Sequence, residues 1–315
     1  MRTTVPLLLA LLSFVSCGAD ATDAGFRVAL LCPGPISDDG WNASAYEGLS
    51  RIEAELGADV RHVQVKSPSE FEGAMRSFAG QGFDLVLAHG FEFTEAALAV
   101  GAEFPGTALV VTSGAGTREN VSSIRFVIEE PAFLAGMLAA SISAAGRIGV
   151  VGGMEIPPVK SAFDAFREGA REIRDDVEVV VSWLGSWEDV AAARQAALAL
   201  LDQGADVLFH NADAAGLGVF LAAEERGVLA IGCNKDQSHV KPGTVVASVV
   251  LDVPEAFVRL AREVRDGAHV GRQRTYDLAS GVVSLAINPR LEHRVSLVAR
   301  RRIDQARDER TAAKR

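Results

Sequence analysis

The chain has 315 residues, 49% hydrophobic and 23% charged, with 30 Gly, 11 Pro and 3 Cys. That length holds two ordinary domains with full cores, and the composition excludes disordered, collagen-like and disulfide-knotted proteins. A net charge of −10 argues against a nucleic-acid binder, whose phosphate contacts need a concentrated basic surface.

Residues 1–17 form a charged start (Met1-Arg2), an apolar run from Val5 to Val15, and Ser16-Cys17. This pattern predicts a secretory signal, too short for a bilayer span, which takes roughly 20 residues. Phe14-Val15-Ser16-Cys17 resembles a bacterial lipobox, with Phe14 where leucine is usual. Cleavage before a lipidated Cys17 is therefore expected; the alternative is an ordinary signal cut ahead of Phe26. Loss of Arg2 takes the charge from −10 to about −11. The mature protein is expected to be exported, with membrane contact only through the lipid. A polar linker, 18–25, follows.

From Phe26 onward strand and helix patterns alternate. Phe26 to Leu31 is a compact apolar strand, Ala43 to Leu56 carries helical spacing, and Asp84 to Ala88 and Ala108 to Val111 are buried strands. Such alternation predicts βαβ units and parallel sheets with helices on both faces. The plan then repeats, with Ile148 to Val151, Ala205 to Phe209 and Leu229 to Ile231. Val28 to Asp84 is 56 residues and Ile148 to Asp206 is 58; Asp84 to Val110 is 26 and Asp206 to Ala230 is 24. Gln81-Gly82-Phe83-Asp84 is echoed by Gln203-Gly204-Ala205-Asp206. The expectation is α/β, two Rossmann-like lobes. Lobe one is assigned 26–127 plus 238–268, and lobe two 128–237 plus 269–300. The remainder, 301–315, is a basic tail: Arg300 to Arg315 holds seven Arg/Lys against three acids. It reads as a solvated helix end or a frayed terminus.

Ligands of open parallel sheets bind beyond the carboxyl ends of the strands. Two of the three tryptophans, Trp41 and Trp187, fall in corresponding loops of different lobes. A facing pair would stack both sides of a flat ring, and site aromatics converge in this way; each alone reads equally well as a core or hinge residue. Asp38, Asn42, Asn211, Asp213, Asn234 and Asp236 are placed to read a ring edge or sugar hydroxyls. Phe91 ends another of these loops. His89 and His210 end equivalent strands without a second ligand at metal spacing, so no metal site is expected. Cys32 and Cys233 are expected as free buried thiols. No dinucleotide fingerprint, phosphate loop or nucleophile elbow occurs, so neither cofactor nor catalysis is expected. Asp38 and Asp39 read as one ligand contact beside one solvated neighbour.

Several segments resemble a known family. Gly146 to Lys160, with its Gly-Gly-Met-Glu block, Gly185 to Asp189, Phe133 to Gly136 and Gly216 to Val219 are similar to the basic membrane protein family. Its members include purine nucleoside receptor A-like substrate-binding lipoproteins of ABC importers. The resemblance runs from about Phe26 to Leu297. It implies a type I periplasmic-binding-protein fold crossing between lobes three times, a monomer, and a separate permease and ATPase. It implies a purine nucleoside or nucleobase between Trp41 and Trp187, with Asp38 and Asn42 in the first loop and Asp236 as the second acid of an Asp-x-Asp-Gln turn. Two positions depart: Asn234 replaces that turn's first acid, and Leu251 stands where a lysine is expected. In nucleoside-binding members both are associated with the ribose, so the resemblance favours the base over the sugar. The other readings are a ligand sensor feeding a signalling protein, a different flat heterocycle, or a nucleoside hydrolase using Asp38 or Asp39.

Overall fold

The structure, a computed structural model, describes residues 25–312. The signal with Cys17, the linker up to residue 24 and the last three residues of the tail lie outside the described residues.

The first half runs Arg27–Cys32 (β1), Trp41–Leu56 (α1), Asp59–Gln64 (β2), Phe71–Gly80 (α2), Leu85–Ala88 (β3), Thr94–Glu103 (α3), Ala108–Thr112 (β4) and Val121–Phe126 (β5). Then come Glu129–Ile142 (α4), Arg147–Gly152 (β6), Pro157–Ile173 (α5), Glu178–Trp183 (β7), Val190–Asp202 (α6), Val207–Asn211 (β8), Gly216–Arg226 (α7), Leu229–Asn234 (β9) and Val245–Leu251 (β10). Val253–Arg265 (α8), Gln273–Tyr276 (β11), Val283–Ile287 (β12) and Leu297–Ala312 (α9) complete the described chain.

Two six-stranded sheets result, ordered β11-β5-β4-β3-β1-β2 and β12-β10-β9-β8-β6-β7. Every pairing is parallel except β10 with β12. Strands covered by helices on both faces must be apolar on both, which is why β1, β3, β4, β8 and β9 read as continuous apolar runs. The repeated Gln-Gly-x-Asp segments serve one purpose in each lobe. Gly82 (φ 77°) and Gly204 (φ 94°) take the left-handed turn that ends a helix. The Asp that follows then ties down a chain entering the sheet. Asp84 accepts from the Arg27 N–H at 2.7 Å. Asp206 accepts from the Ala144 and Ala145 N–H groups, each at 2.7 Å.

Sheet membership corrects the lobe boundaries drawn from sequence. β10, placed with lobe one in 238–268, belongs to the second sheet; β11, placed with lobe two in 269–300, belongs to the first. α8 packs on α1 in the first lobe and α4 on α5 in the second. The crossings therefore fall between β5 and α4, between β10 and α8, and between β11 and β12. Apolar strands look alike in either sheet, so hydropathy alone does not say which sheet β10 joins. The tail also differs from expectation. α9 is a docked helix, with Ala299 and Ile303 buried and the Arg310 guanidinium 3.7 Å from the centre of the Phe133 ring on α4.

α4 is apolar all round because it lies against the second sheet, α5 and α9. Its crossing with α5 rests on paired glycines. A Cβ on Gly136 would sit 1.9 Å from the Phe166 carbonyl oxygen, and one on Gly169 would sit 1.9 Å from that of Phe133. Backbone cannot yield there as a side chain would. Gly136→Ala is expected to destabilise by about 1–3 kcal/mol or more in urea unfolding. Gly73→Ala on α2 has no atom within 4 Å of the added Cβ and should stabilise by about 0.5–1 kcal/mol.

Candidate functional site

The first loop is organised by one carboxylate. Asp38 Oδ1 accepts from the N–H groups of Gly40 (3.0 Å) and Ala43 (2.8 Å), and Oδ2 from the Asn42 N–H (2.9 Å) and Nδ2 (2.7 Å). A negative group at a helix N-terminus satisfies otherwise orphaned donors and complements the helix dipole. α1 therefore starts at a fixed place, with Trp41 as its first residue.

Trp41 is held from behind. Its ring stacks on His89 with centroids 3.9 Å apart and planes 26° from parallel, and meets Phe126 edge-on at 6.2 Å. His89 is itself fixed, Nε2 lying 3.0 Å from the Trp41 carbonyl oxygen and Nδ1 3.1 Å from Thr112 Oγ1. Burial pushes its pKa down to about 3, so the ring is neutral. On the other lobe Trp187 lies over Gly153, where an added Cβ would be 2.2 Å from Trp187 Cε3. The Ala215 N–H donates to the Trp187 carbonyl oxygen at 2.9 Å, and Asp189 caps α6 through the Ala192 N–H at 2.9 Å.

Between the lobes lies a cavity of about 340 Å³, at the small end of the range usual for ligand sites. Asp38, Trp41, Asn42, Phe91, Trp187, Asn211, Asp213 and Asn234 all line it. The carboxylate of Asp38 is occupied by α1, so it acts as a support. Phe91 is 44% exposed, at the mouth. Asn211 is buried as a residue and lines the cavity. Asp236 does not line the cavity. It is exposed and accepts from the Ser238 N–H at 2.9 Å. Asn234, at φ 71°, turns the chain away, and Gln237 points inward instead. Gln237 Oε1 accepts from the Cys233 N–H (3.0 Å), and its Nε2 donates to the Asp39 carbonyl oxygen (3.1 Å). Sequence reasoning missed Glu92, Phe126, Ile128 and Ile156 in the lining. Phe126 ends β5 and could have been found by the strand-end rule; Ile128 and Ile156 carry no such signal.

Cross-lobe contacts surround the cavity. Asp39 Oδ2 meets His239 Nε2 at 3.2 Å, Lys66 meets Glu188 at 3.5 Å, and Lys235 meets Glu47 at 3.5 Å. Asp213 accepts from Asn234 Nδ2 at 2.7 Å. Its carboxyl is pushed up to about 7, first by burial and then by the charge of Asp38. Cys32 and Cys233 are free and buried, and burial pushes the Cys32 thiol up to about 12. Among the described residues no group of three or more His, Cys, Asp or Glu could hold a metal ion, and no helix is long and apolar enough to cross a membrane.

A raised carboxyl pKa means that the folded protein disfavours the ionised form, so this group lowers stability as pH rises from about 4 through about 7. Asp213→Asn should therefore melt a few degrees above the wild type at pH 8. That gap should narrow as pH falls and close by about pH 4 in thermal unfolding.

The profile of a family described as ABC transporter substrate-binding protein PnrA-like (Bmp) matches residues 26–312. The chain is 30% identical over 260 residues to the transcriptional activator protein Med of Bacillus subtilis (strain 168), covering 82% of this chain and 81% of that one. It is 26% identical over 276 residues to a purine-binding protein of Brucella abortus (strain 2308), covering 87% and 78%. A solute-binding protein of an ABC transporter system from Aeropyrum pernix K1 superposes with a TM-score of 0.85 at 24% identity, covering 92% of each chain.

Proposed function

Because the chain belongs to the Bmp family of PnrA-like ABC transporter substrate-binding proteins, we propose that it captures a purine, preferably the free base, for an importer. The family is one of binding proteins, which removes the hydrolase alternative. The observation that carries the reading is the pair of tryptophans, one from each lobe, lining a single interlobe cavity. His89 covers one face of Trp41, leaving the other for a ring. The relative described as purine-binding supports the ligand class. Leu251, buried in the lining with Ile156 and Val159, offers sugar hydroxyls no hydrogen-bonding partner, which favours base over nucleoside.

In this mechanism the ligand adds contacts to both lobes at once, so it favours the closed arrangement over the open one, and the three crossings take up the rotation. The closed form docks on a membrane permease driven by a separate ATPase. Lipid on Cys17 keeps the exported monomer at the membrane face. A second reading, ligand sensing, is favoured by the similarity to Med; permease and ATPase genes beside this one would argue for uptake, a regulator for sensing.

Titrating the intrinsic tryptophan fluorescence with adenine, hypoxanthine, guanine, adenosine, inosine and ribose tests the reading. Saturable changes with the bases, weaker ones with nucleosides and none with ribose are expected. Trp41→Ala and Trp187→Ala should each cost roughly 1–3 kcal/mol, about 5- to 150-fold in Kd. An unchanged Kd in either variant removes that ring from the site.

A further inference from the structure

Four acids, Asp38, Glu92, Glu188 and Asp213, line the cavity, and no Lys, Arg or His is among its lining residues. Two of the four, Asp38 and Glu188, have their charge met at short range. Asp38 is saturated by four donors of the first loop and α1. Glu188 is 56% exposed at the mouth and faces Lys66 at 3.5 Å. Glu92 folds back over its own turn, where a Cβ on Gly90 would lie 2.4 Å from Oε2, and burial pushes its pKa up; the variant below separates it from Asp213.

Among the described residues Asp213 has a single donor, the neutral Asn234 Nδ2 at 2.7 Å, where Asp38 has four. The Gly40 backbone closes over it, an added Cβ there lying 3.5 Å from Oδ1. Its backbone holds φ 46°, a conformation that favours glycine, so the position is held by its surroundings. A buried carboxylate with no cation nearby is unfavourable when ionised. An anionic ligand would add to that cost, whereas a positive or N–H-donating edge would remove it.

We propose that the cavity selects its ligand by charge, with Asp213 receiving the cationic or N–H-donating edge of an aromatic nitrogen compound and ligands bearing a carboxylate or phosphate there rejected. This rests on the interlobe cavity being the ligand site, but not on the ligand being a purine.

Three flat probes of nearly equal shape isolate the charge: benzamidine (cation), benzamide (neutral) and benzoate (anion), measured by isothermal titration calorimetry on the wild-type protein. Benzamidine should bind at least tenfold tighter than benzamide, and benzoate should not bind. Adenosine 5′-monophosphate should likewise bind far more weakly than adenine. Asp213 must be ionised to meet a cation, so benzamidine affinity should rise up to tenfold per pH unit between pH 5 and about 7 and then level off. Asp38, Glu92 and Glu188 also face the cavity, so the variant identifies the titrating group. Asp213→Asn should reduce benzamidine binding to the level of benzamide and abolish the pH dependence, and Asp213→Ser should do the same. Benzoate binding as well as benzamidine, no binding of benzamidine, or a charge preference that survives in Asp213→Asn would overturn the proposal. If neither variant folds, the order of the three probes on the wild type still decides. Adenine binding without any charge order would sink this proposal and leave the purine reading standing; the charge order with silence from every purine would do the reverse.

Discussion

The geometry of the cleft depends on the Asp38 carboxylate at the start of α1. By accepting four hydrogen bonds it fixes Gly40, Trp41 and Asn42 together, and much of the cavity wall follows from that. The Trp41 carbonyl positions His89, whose ring backs the indole. Gly40 lets the first loop approach the Asp213 backbone, an added Cβ there lying 3.5 Å from its Cα. One capping interaction therefore sets an aromatic face, orients a buried imidazole and brings a second carboxylate to the wall. Its own charge then helps to raise the pKa of that second carboxylate. Support and selectivity are coupled through the same residue.

Closure is held by contacts of modest individual strength. Asp39–His239, Lys66–Glu188 and Lys235–Glu47 are largely exposed pairs, a class worth roughly 0–1 kcal/mol each and screened by salt. Gln237 adds a part-buried hydrogen bond across the seam, to the Asp39 carbonyl oxygen.

Much of the fold was legible from sequence because buried parallel strands and their following helices impose strong patterns. The repeated Gln-Gly-x-Asp segments marked equivalent turns in the two lobes, and the structure gives both the same work. The order of crossings was less legible. Val245 to Leu251 would be equally apolar in either sheet, and only its pairing with β9 and β12 assigns it. The strand-end rule gathered eight of the nine proposed site residues into one cavity. It missed on Asp236 because a left-handed Asn234 redirects the chain, and backbone handedness at a non-glycine residue leaves little trace in sequence. The roles of the residues were harder to read than their positions. Asp38, read from sequence as a ligand contact, lines the cavity and also holds the start of α1.

Asn234 shows why a substitution must be judged with its neighbours. From sequence it reads as the loss of an acid. In the structure its amide is a donor, and it holds Asp213 at 2.7 Å, so an acid remains at that wall, supplied from the turn after β8. Leu251 brings no positive charge to balance it. Asp213 and Asn234 both adopt left-handed backbone conformations, as do Ser113 and Asp39 on the facing lobe. These are the four non-glycine residues with positive φ among the described residues, and all lie at or beside the cleft. Such conformations cost free energy that the rigid strands beneath must offset. Strain gathered in the loops, over cores that are conventional and apolar, is the distribution expected when the sheets supply position and the loops supply discrimination.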